Sequence, residues 1–319
     1  MADPVAQQLA EVFLPYATDR MKRAGERRSR FVYYTTAATA ERILRNAEIW
    51  MRNAMTMNDF METRHGLNCL VDAYRGKPGT RLKQVLAPHF PTLCATLEQR
   101  FDGWRPHILT GTYLTCVSEH HDSEDMTGRL SMWRAYGDGS GVALVVNSTP
   151  FLTESDALHA YTSPVAYLRP TQFAEAFNDV VDRVADSLDF LRAQGEEIIT
   201  RWLFNMMRFA VVSTKHPGFA EELEWRVVHS PKLEPSSRLT SDIEVIRGTP
   251  QRVYKIPLRN VPEEGFIGAE IPELIDRIII GPTQFPYAIA DAFHQLLEQA
   301  GVKDAGNRII VSDIPLRPN

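Results

Sequence analysis

Runs of β-branched and aromatic residues are interspersed with stretches of helical spacing along this chain, and no strict strand–helix–strand repeat links them. That arrangement excludes a barrel of parallel units and a helical bundle, and it predicts an α+β domain with a mixed sheet as its core. The predicted strands are Phe31–Thr36, Glu48–Met51, Thr112–Ser118, Val142–Val146, 224–229, Val253–Ile256, Ile278–Pro282 and Arg308–Val311. Helical periodicity marks 5–17, 81–102 (ending near Asp102-Gly103), Ser131–Tyr136, 286–300 and above all 171–213, where Phe173, Phe177, Val180, Val181, Val184, Leu188 and Leu191 recur three and four apart. Thr36 or Thr39 is placed to cap the helix after the first strand. The reading is one domain over 31–319 with a long helical insertion, preceded by a helix and a basic connector in 1–30.

With 319 residues, 44% of them hydrophobic, the chain can bury a large core, which rules out a disordered or fibrous protein. A net charge of -5 gives no general attraction to nucleic acid or anionic membranes. The local exception is Arg20 to Arg30, which is either a phosphate contact or a solvated face. Cys69, Cys94 and Cys116 are too few and too widely spaced for a disulfide framework or a zinc site, and read as reduced, mostly buried thiols. With no signal-peptide pattern at Met1 and no apolar run long enough to span a bilayer, a cytoplasmic location is expected and no membrane partner.

Chemistry concentrates in Phe219-Ala220-Glu221-Glu222-Leu223-Glu224-Trp225-Arg226-Val227-Val228, where three carboxylates fall within four residues before a strand. On that strand Glu222, Glu224 and Arg226 share one face. Crowded acids repel, so they form either a solvated edge or a site that uses them, and Arg226 is placed to pair with them and lower their pKa. Tyr33, Tyr34 and Thr35 end the first strand where a ligand can approach. Asn58, Asp59 and Glu62 read as a turn and helix cap or as further site groups. Ser118, His120 and His121 end the Thr112 strand. Two adjacent histidines point to opposite sides of a strand, and no metal site is expected there. Trp133, Arg134 and Tyr136 sit on a short helix before Gly137-x-Gly139-x-Gly141, and are suited either to stacking on a ring and meeting a phosphate or to a buried aromatic anchor. That glycine turn leads into a strand and is not a dinucleotide fingerprint.

Taken together, Val32–Thr35, Asn58–Glu62, Thr115–Ser118, Trp133–Leu144 and Glu222–Arg226 resemble, in order and over about residues 31–282, a family of bacterial proteins known as a domain of unknown function. Phe219-Ala220-Glu221-Glu222-Leu223-Glu224 also resembles the third motif of ADP-ribosyltransferases, whose NAD site is built from three separated strands. This second resemblance implies an ADP-ribosyltransferase-like fold and a catalytic Glu224 with Glu222 as its partner acid. It implies NAD, as substrate, held by Tyr33, Tyr34, Thr35, Ser118, Trp133, Arg134 and Arg226. The first-strand position departs from that pattern, carrying Tyr in place of His or Arg. The implied activity is transfer of ADP-ribose from NAD to a protein or nucleic-acid acceptor, or NAD hydrolysis, in a toxin or phage-defence setting with a partner such as an antitoxin. The competing expectations are a non-catalytic binding or effector module on the same fold, and a nuclease holding Mg²⁺ with Asp59, Glu62 and the late glutamates.

Overall fold

The computed structural model describes residues 3–57 and 62–315. The strands are β1 (Arg30–Thr36), β2 (Glu48–Asn53), β3 (Tyr113–His120), β4 (Ser140–Asn147), β5 (Tyr161–Pro164), β6 (Ala166–Tyr167), β7 (Thr214–Lys215), β8 (Glu224–His229), β9 (Thr240–Ile246), β10 (Thr249–Pro257), β11 (Ile275–Thr283) and β12 (Ile309–Val311). The helices are α1 (Pro4–Phe13), α2 (Pro15–Glu26), α3 (Ala37–Asn46), α4 (Glu62–Arg75), α5 (Lys77–Leu86), α6 (Leu93–Thr110), α7 (Leu130–Tyr136), α8 (Thr149–Leu152), α9 (Pro170–Asp186), α10 (Leu188–Gln194), α11 (Glu196–Val212), α12 (Ile271–Leu274) and α13 (Pro286–Gln299). No helix among the described residues is long and apolar enough to cross a membrane.

One open, mixed sheet organises the fold, in the order β12-β11-β4-β1-β3-β2-β10-β9, with β8 and then β5 joined to β3. β11 and β12 run parallel, and the other pairs in this sheet are antiparallel. The sheet forks at β3. β8 takes one edge of β3 over Tyr113–Ser118, while the other edge is shared between β1, at Ser118–His120, and β2, at Tyr113 and Leu114. Beyond Val32 strand β1 follows β4 alone, so Tyr33–Thr36 and Thr115–Val117 flank an opening.

Alternation along the strands divides the core between the two faces. Phe31, Val117, Trp225, Leu144 and Ile280 pack against α3 and α13 on one face. Behind the other face, Val228 joins a helical layer that includes Leu70, Leu97, Val181, Leu203 and Val211. Trp133 of α7 fills a smaller cluster with Val32, Tyr34, Val145 and Ile279. The Thr36 side chain accepts the Thr39 N–H and caps α3, as the residue pattern predicts.

Several expectations need correction. The helix expected over 81–102 is two, α5 and α6, because Pro88 and Pro91 interrupt the run, and α6 continues past Gly103 to Thr110. The segment 171–213 is three helices, broken at Ser187 and at Gly195, whose φ of 86° is left-handed. The basic connector is mostly the helix α2. Of its charges, Arg20 pairs with Glu119, Arg23 with Asp19, and Arg30 just beyond the helix with Asp122, Asp125 and Asp276, while Lys22, Arg27 and Arg28 are exposed.

His229 is fully buried, with Nδ1 donating to the His159 carbonyl at 2.8 Å and Nε2 unpartnered. Burial pushes its pKa below 6.5, and does the same to His120, which meets Asp125 at 2.8 Å. Both are therefore neutral when folded at pH 7, whereas the unfolded chain takes up protons below about 6.5. Stability is expected to be level above that pH and to fall beneath it, by up to about 1.4 kcal/mol per pH unit for each histidine. Urea midpoints at pH 7.5, 6 and 5 check this, with a shallower slope expected for His229→Gln; a wild-type midpoint unchanged to pH 5 contradicts it.

Candidate functional site

Register places the acids. Ser118 lies opposite Glu224 and Cys116 opposite Arg226, so these four share the sheet face that looks toward α11. Glu224 is 7% exposed and Arg226 1%. Arg226 Nε donates to Glu224 Oε1 at 2.8 Å and its Nη2 to Oε2 at 3.2 Å, while Nη1 donates to the Val212 carbonyl at the end of α11. The fork of this guanidinium matches the carboxylate geometrically. Immediately after α11, Lys215 projects back into the cluster, with Nζ 2.7 Å from Glu222 Oε2 and 3.2 Å from Glu224 Oε2. Burial alone would raise the Glu224 pKa; the neighbouring Arg226, Lys215 and Cys116 outweigh it and hold the carboxyl well below its usual range.

Phenols complete the surroundings. Tyr167 accepts the Glu224 N–H at 2.8 Å, and Tyr136 lies within electrostatic reach of Glu222, Lys215 and Glu224; burial pushes both phenols well above 10. Cys116 adjoins Glu224 and also borders Tyr33, across the fork, where Thr115 and Arg52 are the other neighbours. Arg129 fixes the approach to β8. Its Nη1 donates to the carbonyls of Glu221 and Glu222, its Nη2 to that of Glu119, and its Nε to Glu124. That bracing accompanies the left-handed Leu223, φ 47°, whose carbonyl accepts the Glu119 N–H.

The residues singled out in the sequence separate accordingly. Glu222, Glu224, Arg226 and Ser118 are together, Arg226 as the partner of the acids. Tyr33 is half-buried at the fork. Tyr34 is buried on the other side of β1, where its hydroxyl accepts the Arg129 N–H and its pKa is pushed up to about 12 by burial. Thr35 is buried, and Arg134 is exposed. Trp133 is 3% exposed, stands edge-on to Tyr34 at 4.9 Å, and is walled by Gly128, Gly141 and Gly281, where an added methyl group would meet the indole within 3 Å. Its place is in the core. Asn58, Asp59 and the side chain of Glu62 lie outside the described residues. His120, the last residue of β3, is buried, and His121, just past the strand, is exposed. The three cysteines are free, but only Cys69 is buried. No group of three His, Cys, Asp or Glu side chains able to hold a metal ion occurs among the described residues.

Sequence reasoning missed Lys215, Tyr167, Tyr136 as a neighbour of the acids, and Arg129. Only Tyr136 had a signal, its position in the Trp133 helix. A mixed α/β sheet protein with buried acids and bases gathered on one face is the class that fold and site define. Residues 132–227, from the Trp133 helix to the acid-bearing strand, match the profile of a family described as protein of unknown function (DUF2971). Neither a curated protein nor a solved structure matches the chain.

Proposed function

We propose that the fork between β1 and β3 receives NAD and that the adjoining acids cleave its nicotinamide–ribose bond, passing ADP-ribose to water or to a macromolecular acceptor. The observation that carries this reading is a pair of carboxylates, Glu222 and Glu224, set beside phenols and the Cys116 thiol, one strand away from the fork between β1 and β3, with Glu224 held ionised by buried cations. Leaving of nicotinamide builds positive charge on the ribose, and an ionised carboxylate in a poorly hydrated place stabilises that charge. Glu222, with 20% of its side chain exposed, is the more accessible of the two. Glu224, to which the sequence pattern gives the catalytic role, is the deeper and more firmly held.

A second reading, a binding module without turnover, is favoured by one specific observation: Arg226 engages both oxygens of Glu224. The two are separated by incubating the full chain and its Glu222→Gln and Glu224→Gln variants with NAD, with and without protein or nucleic-acid acceptors, and following free nicotinamide. Release by the wild type, independent of chelators and lowered roughly 100-fold or more in at least one variant, is the expected result. NAD binding without release supports the module, and neither binding nor release overturns both.

A further inference from the structure

Helix α1 docks on the helical layer through Leu9, Val12 and Phe13, and the chain then turns at Leu14 because Pro15 opens α2 in a new direction. The turn leaves a cavity of about 410 Å³ between the α1–α2 corner, α9, α11 and the β6–β7 ribbon. Its walls are largely apolar, with Phe13, Leu168, Phe173, Phe177, Val180 and Met206 among them. The volume lies in the range of small-molecule sites, and walls of this kind hold water poorly. Ser213, 6% exposed and also in the wall, has a buried Oγ with no hydrogen-bond partner among the described residues. An unsatisfied buried hydroxyl is destabilising, a loss that a ligand with one suitable polar group offsets.

The cavity shares its floor with the acid–base cluster. Ala166 pairs with Thr214 and Tyr167 with Lys215 in the parallel ribbon. Ala166, Leu168 and Thr214 line the cavity, whereas the intervening Tyr167 and Lys215 reach Glu224 and Glu222 from the other side. We infer that the cavity binds a small, predominantly apolar molecule bearing one hydrogen-bonding group, and that its occupancy stiffens the ribbon that positions Lys215 and Tyr167. This does not depend on the NAD reading.

N-phenyl-1-naphthylamine, a neutral apolar fluorophore with a single N–H, is the probe. Titration of the full chain is expected to give saturable one-to-one binding. Ala176→Trp, at an exposed position of α9 on the cavity rim, should weaken it at least tenfold, while Ala95→Trp on the exposed face of α6 leaves it unchanged. Should Ala176→Trp fail to fold, Ala176→Glu places a charge at the same rim and is expected to give the same loss. Bound probe should slow hydrogen exchange at the amides of Ala166 and Leu168, which donate to Ser213 and Lys215 across the ribbon. Non-saturating fluorescence, or equal binding by the rim variant, overturns the site; saturable binding without slower exchange overturns the coupling. Loss of NAD cleavage alone would touch neither readout.

Discussion

Arg226→Ala is expected to be among the most damaging single substitutions in this chain, lowering stability by about 3–5 kcal/mol, the usual result of stranding one partner of a buried ion pair. The guanidinium fills a fully buried position, satisfies both oxygens of Glu224 and ties β8 to the end of α11. Without it a carboxylate that is almost entirely enclosed is left with Lys215, which it shares with Glu222, and the Cys116 thiol. Replacing both Glu224 and Arg226 with Met removes the charges together and should recover much of the loss. Urea unfolding of the two variants beside wild type measures this. A deficit below about 1 kcal/mol for Arg226→Ala would mean that the pair is better hydrated than its burial indicates.

Trp133→Ala should cost a comparable amount, about 3–5 kcal/mol, for a different reason. The indole sits against glycines and Tyr34, and donates from Nε1 to the Thr127 carbonyl at 2.9 Å. Removing it leaves a void that Gly128, Gly141 and Gly281 have no side chains to fill. Trp133→Phe keeps most of the volume and should lose much less. Denaturant unfolding reads the effect. A stable Trp133→Ala protein that had lost only nucleotide affinity would instead give the ring a stacking role.

Much of the sheet was legible because its central strands announce themselves: Phe31–Thr36 is β-branched and aromatic over its whole length, Val142–Val146 is an unbroken apolar run rich in valine, and both are central. Glu224 and Arg226 were legible as one face because alternation fixes it, whereas Glu222 ends a 3-10 turn ahead of β8 and is brought to the same cluster across the left-handed Leu223, which alternation does not foresee. Other elements were hidden. The β9–β10 hairpin turns at Arg247-Gly248, both with positive φ, yet β9 exposes Ile243 and Val245, so burial gave its pattern no clear face. Gly195 and the prolines around residue 90 carried breaks that strong helical periodicity outweighed. Lys215 was invisible for a deeper reason: a lysine after a long apolar helix reads as a solvated cap, and only tertiary packing turns it inward onto two acids.

The forked sheet has a kinetic corollary. β4 and the first part of β8, which lie within the matched stretch 132–227, are not neighbours, since β1 and β3 from the first part of the chain stand between them. β4 also waits for β11, and β2 for β10, so several pairings close very long loops before any contact rewards the closure. Local helices can form early, but the ion pair of β8 gains its setting only after β3 has been found across the intervening chain. Refolding should accordingly be slow, with the charged cluster among the last parts to assemble, and residues 132–227 expressed alone should not fold.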